Sequence, residues 1–113
     1  MKRTIALTAA AVLAIAFATP AHADTATTPT RTPSGVFWPY THQVVSTVTL
    51  DDPGTVTLVT TAYRHPATVQ ARVVADTGTI TISSPCQPTR LPTTWTVHVD
   101  GVKVGASSTL KCA

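Results

Sequence analysis

The chain has 113 residues, eight of them Lys or Arg and five Asp or Glu, a length that holds one domain and no second core. Its cations are scattered, which argues against nucleic acid, since that partner needs grouped Lys and Arg to displace counterions from phosphates. All five acidic residues are aspartate and the chain has neither glutamate nor asparagine. The aspartates fall at Asp24 near the start and at Asp51, Asp52, Asp76 and Asp100 in expected turns, which supplies neither two carboxylates facing across a glycosidase cleft nor the converging oxygens of a calcium site, and without asparagine there is no Asn-linked sequon.

The chain begins with Lys2 and Arg3, continues through an uncharged apolar stretch from Ile5 to Ala18, and reaches Thr19-Pro20-Ala21-His22-Ala23. That order predicts a signal peptide over 1–23 with cleavage after Ala23. The apolar run is about 14 residues, short of the roughly 20 that cross a bilayer core as a helix, so no membrane span is expected in the mature chain. No cysteine lies near the cleavage point to accept a lipid. Removing 23 residues from 113 leaves 90, and with Lys2 and Arg3 gone six cations face five aspartates, a formal charge of +1. The expected destination is secreted, extracellular.

Residues 24–35 are rich in Thr and Pro, with no apolar side chain larger than Ala. They are expected to form a disordered leader, because they cannot bury enough surface to offset chain entropy. The domain is expected over 36–113.

From Val36 onward apolar residues alternate with period two, the rhythm of half-buried strands. In His42 to Leu50 the inward set is Val44, Ser46, Val48 and Leu50. In Gly54 to Tyr63 it is Val56, Leu58, Thr60 and Ala62, and in Ala67 to Ala75 it is Val69, Ala71 and Val73. Ile80, Ile82, Ser84 and Cys86 follow, then Trp95, Val97 and Val99, then Leu110 and Cys112. Pro53-Gly54 and Asp76-Thr77-Gly78 suit tight turns. Asp100-Gly101 predicts a two-residue type I′ hairpin pairing Val99 with Val102, His98 with Lys103 and Val97 with Val104, and setting Trp95 opposite Ala106.

Six or seven such strands predict an all-β fold, a small antiparallel β-sandwich, since one open sheet would leave an apolar face wet. The architecture resembles an immunoglobulin-like sandwich. It departs from the immunoglobulin pattern in that Trp95 lies nine residues after Cys86 and Leu110, not tyrosine, stands two before the second cysteine. Cys86 and Cys112 are the only cysteines and share inward parity, so they are expected to form one disulfide. A redox pair or metal site is the alternative, but there is no Cys-x-x-Cys and no histidine at ligand spacing.

Asp51-Asp52 reads as a solvated turn pair. The histidines of the domain are His42 at a strand start, His65 in a turn and His98 outward beside Lys103, and no Gly-x-Ser-x-Gly elbow accompanies them. No catalytic residue, metal ligand or cofactor is assigned. Val36-Phe37-Trp38-Pro39-Tyr40 holds three of the five aromatics that follow the signal. Two readings stand: a recognition patch for protein or glycan, which Tyr63 and Arg64 would extend, or caps on one end of a small core.

In Trp38-Pro39-Tyr40 the chain is similar to the small secreted α-amylase inhibitors, which present Trp-Arg-Tyr from a β-sandwich. The arginine is absent here and one disulfide stands for their two. The likeness covers three residues and implies only that the inhibitor class is open to such a domain. The function expected first is a non-catalytic binding module for an extracellular or envelope protein or glycan. An inhibitor of an extracellular enzyme comes second, with Phe37 to Tyr40 or Ser83 to Pro92 as the inserted segment, and an enzyme third. No feature selects an oligomeric state.

Overall fold

The computed structural model describes residues 24–37, 40–62, 67–86 and 90–112. The expected signal peptide, and Trp38, Tyr63, Arg64 and His65, lie outside them. Every regular element among the described residues is a strand: β1 (Thr25–Ala26), β2 (Thr30–Pro33), β3 (His42–Leu50), β4 (Gly54–Ala62), β5 (Ala67–Ala75), β6 (Gly78–Pro85), β7 (Thr93–Val99), β8 (Val102–Lys103) and β9 (Ser108–Leu110).

They form two antiparallel sheets. In the first, β3 is central, with β6 on one edge and β1 and β2 sharing the other. In the second the order is β5-β4-β7, and β8 and β9 share the outer edge of β7. Each sheet thus has three lanes, one of them split in two. The apolar alternation faces the two sheets toward each other: Val44, Val48, Leu50, Val56, Leu58, Ile82, Trp95, Val97 and Val99 are buried together in one core. The fold is the small β-sandwich expected from the sequence, and the parity of Ser46, Ser84, Cys86 and Cys112 is inward, since all four are buried.

Residues 24–35 are not a disordered leader. Thr25 and Ala26 pair with Thr49 and Val48, and Thr30 to Pro33 pair with Val45 to His42. Composition misleads here because the segment needs no large side chain of its own: it completes the hydrogen bonding of an edge that β3 supplies. Between its two strands Pro29 is fully buried, Thr27 N–H donates to the Thr47 carbonyl at 2.9 Å, and buried Ser46 Oγ donates to the Thr27 carbonyl at 2.6 Å. Ser108 Oγ then donates to the Pro29 carbonyl at 2.6 Å. The split edge of one sheet is thereby laced to the split edge of the other, closing one side of the sandwich.

The β7–β8 hairpin forms as expected. Asp100 and Gly101 take φ of 49° and 84°, Val99 faces Val102, His98 faces Lys103, and Val104 N–H donates to the Val97 carbonyl. Asp100 also accepts the Thr55 N–H at 2.9 Å, tying this turn to the start of β4. The register then slips. Trp95 faces Ser108, not Ala106, because the chain turns aside at Gly105. That residue has φ of 120°, and a Cβ there would stand 2.6 Å from the Ala26 carbonyl oxygen. Glycine is required by both the dihedral and the close approach.

The inward assignment of Val69 also fails. A bulge between Leu58 and Val59 moves the partner of β4 from Ala71 to Val69, so Gln70 is the extra residue. Beyond a bulge the alternation inverts. Val69 is 48% exposed and lies with Val59 on the outer face. Val73 keeps the inward register opposite buried Val56, yet remains 39% exposed at the sheet edge.

One core group lacks a partner among the described residues: the buried Thr60 hydroxyl. Thr60 faces Trp95, whose indole N–H donates instead to Thr93 Oγ1 at 3.1 Å. Thr60→Val keeps the shape and removes the desolvated hydroxyl, so it should raise stability by about 1 kcal/mol in urea unfolding; a destabilised variant would mean that the hydroxyl is bonded in solution.

Candidate functional site

The register gives the sandwich two distinct ends. At one lie His42 paired with Pro33, Gln43 paired with Pro85, Thr93 paired with Leu110, and Ala62 paired with Thr93. Cys86 N–H donates to the His42 carbonyl at 3.1 Å, and the Cys86–Cys112 disulfide joins the two sheets there, with Cα atoms 5.5 Å apart. Both sulfurs belong to buried residues, the setting of a structural bridge.

The aromatic segment is the β2–β3 connection at this same end. Ser34 shapes it. Its N–H donates to the Thr41 carbonyl at 2.9 Å, closing the loop neck, while its Oγ accepts the Phe37 N–H at 3.0 Å and the Val36 N–H at 3.4 Å. Tyr40 N–H donates to the Phe37 carbonyl at 2.7 Å. A short polar side chain capping the N–H groups two and three residues ahead is the usual way serine fixes a turn. The result brings Phe37 and Tyr40 together, both half-buried, with Val36 beside them 76% exposed. Neither residue is fully exposed and neither is fully buried. The structure does not describe Trp38, Tyr63 or Arg64, although β4 ends and β5 begins at this end of the sandwich.

Cations share the end. Arg31 on β2 donates through Nη1 to the Lys111 carbonyl at 2.6 Å, which brings Arg31 and Lys111 together near the disulfide. Arg90 lies three residues before Thr93. All three are exposed. His42 Nδ1 is 3.0 Å from the adjacent Thr41 Oγ1, a local contact.

The opposite end collects every acidic side chain of the chain. Asp51 and Asp52 link β3 to β4, Asp76 links β5 to β6, Asp100 opens the β7–β8 turn, and Asp24 precedes β1 and accepts the Asp51 N–H at 2.9 Å. Each sits at a turn or terminus because aspartate bonds nearby backbone N–H groups. Their shared end follows from the alternation of up and down strands. That segregation is readable once strand order and turn residues are set side by side, but the scattered spacing of the charges conceals it.

A second feature lies on the outer face of the β5-β4-β7 sheet. Thr57, Val59, Val69, Arg72, His98 and Asp100 line an open groove of about 330 Å³. Arg72 faces Thr57, Thr57 faces His98 and His98 faces Lys103, so one row across the sheet carries two cations and a histidine. Sequence reasoning missed this groove because the bulge that turns Val69 outward is set by strand pairing. Among the described residues, no group of three or more His, Cys, Asp or Glu is placed to hold a metal ion.

Comparison with known protein families, with curated proteins and with solved structures finds no significant match.

Proposed function

We propose that the protein is exported and works outside the cell or at its envelope as a non-catalytic binding module, engaging a macromolecular partner through the disulfide end. Export is supported by the charged, apolar and small-residue order of 1–23 together with a disulfide that needs an oxidising compartment. The observation that carries the binding role is the Ser34–Thr41 loop: Phe37 and Tyr40 are held by three turn hydrogen bonds and left partly open. Aromatic rings fixed in advance give contact area at low entropic cost, and such anchors dominate interface energetics.

The paired substitution Phe37→Ala and Tyr40→Ala tests it. Tagged wild-type protein is expected to retain a saturable partner from culture fluid and envelope. At about 2 kcal/mol for an aromatic anchor, the variant should bind roughly thirtyfold more weakly while its unfolding midpoint stays close to wild type. Unchanged retention by the variant would remove the loop from the site.

The same preset loop favours a second reading, an inhibitor that inserts Phe37 to Tyr40 into the cleft of an extracellular enzyme. Purified protein at micromolar concentration should then inhibit a member of an amylase and protease panel; a panel left fully active eliminates this reading and leaves the first intact.

A further inference from the structure

We infer that the partner at the disulfide end is a polyanionic polymer, a chain carrying repeated phosphate or carboxylate groups; this rests on the binding role proposed for that end and names the chemistry it meets. The first ground is the charge map. Arg31, Arg90 and Lys111 are exposed at the disulfide end, whereas all five aspartates of the chain stand toward the other, where Arg72 and Lys103 offset only two of their charges. A nine-residue strand such as β3 separates the ends by about 27 Å at roughly 3.4 Å per residue. Arg31 stands at the register of Val44 and Asp24 one residue beyond that of Thr49, about 20 Å apart on that spacing; at a screening length of about 8 Å in physiological salt, the carboxylates weaken the field at the cations only slightly. At longer range and lower salt they turn the molecule, since an anionic surface attracts one end and repels the other.

The second ground is the form of the cationic end. Its three cations come from three different places: β2, the segment entering β7 and the segment leaving β9. All three are exposed. Spread, exposed charges of this kind gain affinity by meeting several groups of a repeating chain at once. Phe37 and Tyr40, half-buried residues of the β2–β3 connection at the same end, add apolar surface for the sugar or polyol carbons between the anionic groups. The Arg31 guanidinium, already oriented by the Lys111 carbonyl, keeps its remaining donors for an oxyanion.

The test measures binding of residues 24–113 to three immobilised probes: poly(glycerol phosphate), polygalacturonate and neutral dextran, at 50 and 200 mM NaCl. The two polyanion arms separate phosphate from carboxylate recognition. For three neutralised charges on a flexible chain, a slope of about 0.7 per charge corresponds to roughly a twentyfold loss of affinity between these salt concentrations. Binding to at least one polyanion with that salt dependence, and none to dextran, is the expected result.

Arg90→Gln with Lys111→Gln leaves the Lys111 carbonyl that holds Arg31 in place, so this variant should fold normally and lose at least fivefold in affinity at 50 mM. Asp51→Asn with Asp76→Asn should bind as tightly as wild type or tighter. Equal binding to dextran, polyanion binding unaffected by Arg90→Gln and Lys111→Gln, or no polyanion binding at 50 mM overturns the inference. If an acidic protein is captured from culture fluid, dependent on Phe37 and Tyr40, while both polyanions fail, the polymer is wrong and the binding end stands. If neither binds, the binding role falls as well.

Discussion

Replacing Cys86 and Cys112 together with serine lowers the unfolding free energy of the 24–113 chain by about 3–4 kcal/mol, the value expected for closing a loop over the 26-residue separation of the two cysteines. The magnitude is large because the domain is small. A chain of 90 residues has limited core to offset its conformational entropy, and stabilities of roughly 5 kcal/mol are common at that size. The bridge also does a local task. It is the covalent tie between the first sheet, through the residue after β6, and the second, through the segment leaving β9. Reduced or doubly substituted protein should therefore unfold at a markedly lower urea concentration and show faster hydrogen exchange in β9 and the Ser34–Thr41 loop. A variant with the wild-type midpoint would place the stabilising contribution elsewhere.

Deleting residues 24–33 should cost about 2–5 kcal/mol, a result opposite to the one a flexible leader would give. Buried Ser46 loses the Thr27 carbonyl that it donates to, and a buried polar group left without its partner costs roughly 1–3 kcal/mol. Loss of the fully buried Pro29 and of Ala26 packed on the core adds about another 1–2 kcal/mol of apolar exposure. The truncation also uncovers the β3 edge along both registers, leaving unpaired N–H and C=O groups open to other chains. Equilibrium urea unfolding and size exclusion read both effects. A truncated chain as stable and monomeric as the full one would mean that β1 and β2 do not pair in solution.

What could be read from the sequence and what could not divide along one physical line. Val44, Val48, Leu50, Val56, Leu58, Ile82, Trp95, Val97 and Val99 announce their burial by alternation alone, and Asp100-Gly101 announces its hairpin through dihedrals that few other pairs adopt. The burial of Cys86 and Cys112 follows the same parity. These are local signals. The strands at 25–26 and 30–33 have no such signal, because threonine and proline there are ordered by an edge contributed from residues 42–49. The outward turn of Val69 and the shift of Trp95 onto Ser108 each depend on one extra or displaced residue in a pairing, which alternation cannot register.

The candidate site divides in the same way. Phe37 and Tyr40 stood out by composition, and the structure adds the Ser34 bonds that hold them. The grouping of Arg31, Arg90 and Lys111 away from every aspartate required the strand directions, since these residues are far apart in the chain. Thr94 with Thr109 and Thr96 with Ser107 are likewise neighbours only through the β7–β9 side of the sheet.

The proposed recognition belongs to one end of the sandwich. A photoreactive side chain placed at Tyr40, and in a second protein at Asp76, with both proteins exported by the producing cells and irradiated in place, decides it. Covalent capture of one partner from position 40 and none from position 76 is the predicted outcome. Capture of that partner from position 76 with position 40 silent would contradict the assignment of the disulfide end.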